Sequence, residues 1–221
     1  MAIPQGIALV VYDADNTMFN TIQSNIAQLS EVGRQIGLGS ITEEQYWSVI
    51  IQPGSTILQA LFPEKLVEAQ AAYREVGQYV ELISVEPGLI DVLGNLSTRG
   101  LRIGVATNRR ERSMRLLFDR FPEVARFFDP QLVFLLQDDH ILPRDRRFPN
   151  IFKKPKPDPE CLEIAMLVTE LSPRQILYVG DTPNDQRTAR SAGVYFVGYE
   201  RCETEFGCIT IHDHQDLLSF F

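Results

Sequence analysis

Cysteine, histidine and tryptophan are all scarce in this 221-residue chain, which has three, three and one of them. Cys161, Cys202 and Cys208 are scattered and odd in number. Cys202 and Cys208 lack a second pair, or histidines, at zinc-ligand spacing, so reduced structural thiols and a cytoplasmic setting are expected. His140, His212 and His214 share no helix and form no cluster, which argues against a metal triad and for solvated positions. No apolar run reaches the length of a membrane span, and no basic region precedes a long apolar core at the N-terminus. Positive charge is short as well. The 21 Lys and Arg stand against 29 Asp and Glu, a formal net charge of -8. That balance argues against general nucleic-acid binding and against anionic membrane surfaces as partners. There is no internal repeat and no low-complexity segment.

What is present is ordinary for a soluble globular protein, with 44% hydrophobic and 23% charged residues. The length suffices for one large or two small domains. The most informative stretch lies near the start. Ile7-Ala8-Leu9-Val10-Val11-Tyr12 reads as a fully buried strand, and Asp13-Ala14-Asp15-Asn16-Thr17 follows. Carboxylates are costly inside a buried strand, but ligands of open α/β sheets sit beyond the strand ends. A spacing of two puts Asp13 and Asp15 on one side of an extended chain. Two like charges so placed repel unless a cation or a shared proton relieves them, which suggests a metal-assisted acid site. The blander reading is an acidic turn in which Asp15 or Thr17 caps the next helix.

From Phe19 to about Ile83 the pattern is helical. Ile22, Ile26, Leu29, Val32 and Ile36 recur at helical spacing up to Gly37 or Gly39. Thr42-Glu43-Glu44-Gln45 resembles a capping box. Pro53-Gly54-Ser55 breaks the chain before Ile57–Leu61, and Pro63 opens a long helix through Val80. Four helices with no strand among them interrupt a strand–helix alternation, so residues 19–86 are expected as an inserted helical cap. Residues 1–18 and 87–221 are expected to form the core. Tyr46, Trp47, Tyr73 and Tyr79 are read first as cap core and second as pocket lining.

The alternation resumes with a helix through Ile90–Leu96 and the strand Leu101–Ala106, which ends on Thr107-Asn108. A basic helix follows from about Arg112 to Phe121, its cationic face read as solvated. Leu132–Leu136 reads as a buried strand. Gln137 to Phe152 reads as a long polar connection holding Asp138, Asp139, Arg144, Arg146 and Arg147, of the kind that tends to be functional or mobile. A helix over 159–171, the strand Ile176–Val179, a helix over 184–191 and the strand Val194–Val197 complete the pattern. An edge strand over 208–211 and a closing helix over 215–220 are expected last.

Four short stretches recur at or near strand ends: Asp13-Ala14-Asp15-Asn16-Thr17, Val105-Ala106-Thr107-Asn108, Lys154-Pro155-Lys156-Pro157 and Gly180-Asp181-Thr182-Pro183-Asn184-Asp185. In this order they resemble the four motifs of the haloacid dehalogenase-like superfamily, over nearly the whole chain. Asn16 stands where that family usually has glycine, and asparagine tolerates left-handed backbone better than other non-glycine residues. The resemblance implies an α/β protein with a doubly wound parallel-sheet, Rossmann-like core and an inserted all-helical cap. It also implies a Mg²⁺-dependent phosphatase acting on a small phosphorylated metabolite.

Carried onto this chain, the resemblance makes Asp13 the nucleophile that forms a phosphoaspartate. Asp15 becomes the acid and then the base. Thr107 and Asn108 would hydrogen-bond phosphoryl oxygens, unless they simply cap the next helix. Of the three neighbouring lysines, Lys154 is expected at the phosphoryl group because it begins the Lys-Pro-x-Pro pattern, with Lys153 and Lys156 toward solvent. Asp13, the carbonyl of Asp15 and Asp181 are the expected Mg²⁺ ligands. Asp185 would bind the metal, directly or through water, or orient Lys154. Capping of the following helix is the blander role of Asp181 and Asp185. A sugar phosphomutase with the same motifs is the nearest alternative function. A phosphorylation-controlled signalling or binding protein is a more distant one. Substrate identity and oligomeric state are not written in these motifs.

Overall fold

The computed structural model describes residues 6–50, 57–137, 143–199 and 209–221. Two compact units result, one from the chain up to Phe19 together with Val85–Phe221, the other from Asn20–Ser84. No helix among the described residues is long and apolar enough to cross a membrane.

The expected first strand forms as β1, Leu9–Tyr12, with all four residues buried. A tight turn leads to β2, Phe19–Asn20, where the chain enters the helical unit. That unit holds α1 (Ile22–Gln35), α2 (Glu43–Ile50), α3 (Ile57–Leu61) and α4 (Leu66–Glu75). Its core gathers Ile22, Leu29, Val32, Tyr46, Phe62 and Ala69. Tyr46 is wholly buried and its hydroxyl accepts from Asn25 Nδ2 at 3.0 Å, so it belongs to the core of this unit. The capping box of α2 is present, with Thr42 N donating to Gln45 Oε1 and Gln45 N to Thr42 Oγ1. The long helix expected from Pro63 to Val80 is three pieces instead. A 3₁₀ turn at Pro63–Lys65 precedes α4, and another at Val80–Leu82 follows it. The break falls at Val76, whose backbone is extended, just ahead of Gly77. Pro53-Gly54-Ser55 lies outside the described residues.

β3, Ser84–Val85, pairs with β2 in a two-stranded sheet where the chain leaves the helical unit. These two-residue strands stand in a region expected to have none, being too short to display any alternation. The core then runs α5 (Leu89–Thr98), β4 (Arg102–Arg110), α6 (Glu111–Arg120), α7 (Pro122–Ala125), β5 (Val133–Leu136), β6 (Asn150–Phe152), α8 (Glu160–Thr169), β7 (Ile176–Gly180), α9 (Pro183–Ala192), β8 (Tyr195–Tyr199) and β9 (Ile209–Ile211). The expected closing helix is a 3₁₀ helix, His214–Phe220.

Seven strands form one sheet in the order β6-β5-β4-β1-β7-β8-β9, every pair parallel. From β1 the chain builds outward through β4, β5 and β6, then returns across β1 to β7. The strand order therefore reverses at β1, and the crevice beyond its C-terminal end is where a doubly wound sheet binds ligands. The sequence there agrees. Residues 9–12, 176–180 and most of β4 are buried, as expected of strands covered on both faces. The polar residues begin where the strands end. The stretch read as a long polar connection holds β6 and a 3₁₀ turn at Pro143–Asp145. Asp138, Asp139 and His140 lie outside the described residues, as do Cys202 and Cys208. Cys161 is buried, with its thiol pushed up to about 12 by burial, and stays a protonated core residue.

Candidate active site

Three strand ends converge on one point. β1 delivers Asp13, whose N–H donates to Val179 O on the neighbouring strand. The turn behind it closes through Phe19 N to Ala14 O and Asn16 N to Phe19 O. Asn16 has φ +54°, the left-handed backbone that the usual glycine would supply, so the turn survives the departure. Thr17 Oγ1 donates to Asp181 Oδ1 at 3.3 Å, linking the turn to the end of β7.

The lysine at this point is Lys156, not Lys154. Lys156 Nζ lies 2.6 Å from Asp13 Oδ1 and 2.5 Å from Asp185 Oδ1, with its side chain 6% exposed. Lys154 extends outward, 72% exposed, its ammonium 3.8 Å from Asp158. The backbone explains the difference. Glu160 Oε2 accepts from Lys153 N and Lys154 N, which fixes those two residues at the outer rim. Asn108 holds Lys156 from inside, its Oδ1 accepting from Lys156 N at 2.8 Å. The pattern Lys-Pro-x-Pro in fact occurs twice, overlapping, as Lys154-Pro155-Lys156-Pro157 and Lys156-Pro157-Asp158-Pro159. The second copy was the signal for the lysine that reaches Asp13 and Asp185.

Asp185 orients Lys156 rather than Lys154. It also caps its own helix, because Thr182 and Asp185 form the N-terminal capping box of α9. Thr182 N and Oγ1 both donate to Asp185 Oδ2. A Cβ on Gly180 would stand 2.6 Å from Asp185 Cβ, so only glycine lets this carboxylate fold back against the strand end. Tyr178 went unnoticed in the sequence because it reads as one more buried strand residue. Its hydroxyl lies 2.9 Å from Lys156 Nζ, and it donates toward Asp185 Oδ1 or Ala106 O. Burial first, then the neighbouring carboxylates, push the phenol well up, so it remains a donor.

Thr107 is buried on β4, and its Oγ1 accepts from Arg109 N at 3.2 Å. Asn108 braces the lysine loop, a role different from the phosphoryl contact expected of it. Asp15 is gripped by Arg109, Nε to Oδ2 at 2.8 Å and Nη2 to Oδ1 at 2.5 Å.

Asp13, Asp181 and Asp185 each place an oxygen within 4.8 Å of the others. Burial is the main cause that raises Asp13 and Asp181, and the neighbouring carboxylates add to it. Burial alone would lower Lys156, but Asp13 and Asp185 outweigh it and keep the ammonium charged. Three buried carboxylates thus share one cation, an arrangement short of positive charge. An oxygen-only donor set of this kind fits a hard divalent cation.

A family profile for haloacid dehalogenase-like hydrolases matches residues 7–193. The chain belongs to the haloacid dehalogenase-like hydrolases. Curated proteins similar to this hydrolase include phosphatases. One is a phosphoglycolate phosphatase of Pseudomonas putida, 28% identical over 207 residues, which cover 86% of this chain and 68% of that one. Another is the pyrophosphatase PpaX of Halalkalibacterium halodurans, 27% identical over 198 residues, 87% of this chain and 84% of that one. Among solved structures, a hydrolase of the same superfamily, subfamily IA, from Geobacter sulfurreducens matches with TM-score 0.68 and 26% identity, covering 99% of each chain.

One histidine of this haloacid dehalogenase-like hydrolase departs from expectation. His212 is exposed, but His214 is buried. Its Nε2 lies 2.8 Å from Thr17 O, and its ring stacks on Tyr199 with centroids 4.2 Å apart. The closing 3₁₀ helix thereby supports the turn that follows Asp13. Burial lowers His214 to about 4, so the neutral ring donates to the carbonyl. The unfolded chain takes up a proton first, near 6.5, so His214 stabilises the fold above that pH. The contribution is lost as pH falls toward 4, up to roughly 3 kcal/mol. His214→Phe should therefore lose less stability than wild type between about pH 7 and about pH 4.5, read as urea midpoints. Equal losses in the two proteins would remove His214 from the acid transition.

Proposed function

We propose that this haloacid dehalogenase-like phosphatase hydrolyses a small phosphorylated metabolite through a phosphoaspartate on Asp13, with Mg²⁺. The observation that carries the reading is Lys156, held between Asp13 and Asp185 at the strand-order reversal. The relatives make phosphoglycolate and pyrophosphate the first compounds to test.

Lys156 holds Asp13 Oδ1, which leaves Oδ2 to attack phosphorus. As the Asp13–phosphorus bond forms and the ester bond breaks, Asp15 gives a proton to the departing oxygen. Water then attacks the phosphoaspartate while Asp15 takes its proton. The acyl phosphate bond breaks, and inorganic phosphate leaves with Asp13 restored. Asp13, the carbonyl of Asp15 and Asp181 would hold Mg²⁺, with Asp185 beside them. A divalent cation held there would neutralise charge on the phosphoryl oxygens. Lys156 would supply a second positive charge, and the Thr107 hydroxyl, whose oxygen accepts from Arg109 N, would donate its proton to a phosphoryl oxygen. The helical unit with its flanking residues, 19–86, would serve as a cap that excludes water and selects substrate.

Asp15→Asn tests the acid role. It should lower the rate on alkyl phosphates by about 10²–10⁴-fold. On activated aryl phosphates, whose leaving groups need little protonation, the loss should be much smaller. Equal losses on both would show that Asp15 transfers no proton to the leaving group.

A further inference from the structure

Lys156 is held by more than its two carboxylates. An ammonium has three N–H donors and no acceptor. Around Lys156 Nζ stand Asp185 Oδ1 at 2.5 Å, Asp13 Oδ1 at 2.6 Å and the Tyr178 hydroxyl at 2.9 Å. A fourth oxygen, Ala106 O, lies farther off at 3.4 Å. The three short contacts match the three hydrogens. The Tyr178 oxygen can accept because its own hydrogen has two destinations, Asp185 Oδ1 at 2.9 Å and Ala106 O at 3.0 Å. Tyr178, Lys156, Asp13 and Asp185 are all buried.

No step of the proposed reaction uses this hydroxyl, and the strand does not call for it. Tyr178 stands inside β7, where an apolar side chain would fill the position without a polar group to satisfy. What the hydroxyl adds is a third acceptor for a buried ammonium. Two contacts leave the ammonium able to turn about the line through them, and a third fixes its direction. Without the hydroxyl, the third hydrogen is left with the long contact to Ala106 O. The grip on Asp13 then loosens, although neither carboxylate has changed.

The geometry points to Tyr178 as a positioning residue for the nucleophile. Its hydroxyl fixes Lys156, and Lys156 in turn holds Asp13 by Oδ1 and leaves Oδ2 for the phosphoryl group. The hydroxyl's partners are all protein groups, so Tyr178 acts on the rate of the chemistry and not on substrate binding. It acts through Lys156, so its effect depends on that lysine being present. The assignment rests on the phosphatase reading above and deepens it.

Tyr178→Phe removes the hydroxyl and keeps the ring that packs against Phe196. Kinetics are read at saturating Mg²⁺ on phosphoglycolate, or on phenyl phosphate where that is the better substrate. The variant should lose about ten- to a hundredfold in kcat, the scale of one hydrogen bond to a charged group. KM and the inhibition constant of inorganic phosphate should move by less than about twofold. In a Lys156→Met background the same substitution should lower kcat by less than about twofold, because the residue it acts through is gone. Equal fold losses in the two backgrounds would overturn the assignment. So would a Tyr178→Phe protein that melts earlier but keeps its kcat while folded, a loss carried by KM, or a loss that further Mg²⁺ restores. Each of these leaves the phosphatase reading standing. Failure of the wild-type protein to release phosphate from either compound overturns that reading, and the assignment with it.

Discussion

Lys156→Met is expected to lower kcat/KM by about 10²–10³-fold, the scale on which loss of a key charge-stabilising donor is felt. Lys156 is the ammonium that both Asp13 and Asp185 contact, at 2.6 and 2.5 Å. Removing it takes away the positive charge beside Asp13 and leaves Asp13 and Asp185 without that cation. Breaking a buried ion pair from one side costs about 3–5 kcal/mol, so the variant should also melt earlier, and Mg²⁺ should recover part of that loss. Lys154→Met is the control. Its side chain is largely exposed and 3.8 Å from Asp158, an exposed pair worth about 1 kcal/mol or less. Kinetics and melting curves of the two variants check the assignment. A larger activity loss at Lys154 would return the role to the residue first expected from the sequence.

Asp13→Asn should reduce turnover by at least about 10³-fold while leaving the protein folded. The substitution removes the proposed nucleophilic oxygen at nearly constant volume. It also removes one of three crowded buried carboxylates, so the metal-free protein should melt no lower than wild type. Lys156 keeps Asp185 as its partner in that variant. Retention of a substantial fraction of activity in Asp13→Asn, measured as phosphate release, would exclude a phosphoaspartate on this residue.

Much of the core was legible because its strands are buried on both faces. Leu9–Tyr12 and Ile176–Gly180 carry no charged residue until the strand ends, so the positions of Asp13 beyond β1 and of Asp181 beyond β7 follow from hydrophobicity alone. The short elements were illegible for the opposite reason. Phe19–Asn20, Ser84–Val85 and Asn150–Phe152 are too brief to show a period. The lysine was misplaced because two overlapping Lys-Pro-x-Pro patterns differ only in which backbone Asn108 holds, a contact between residues 48 positions apart. Tyr178 and His214 were missed because a buried polar tip cannot be told from a packed ring without its partners. Arg109 lay in plain view after Thr107-Asn108, but its pairing with Asp15 joins residues 94 positions apart.

The measurement closest to the central claim is phosphate release by the wild-type protein from phosphoglycolate, pyrophosphate and phenyl phosphate, with Mg²⁺ and again after chelation. Release from at least one of them that needs Mg²⁺, disappears on chelation and returns when Mg²⁺ is restored is the expected result. Release that continues unchanged in the chelated protein, or no release from any of the three with Mg²⁺ present, would contradict it.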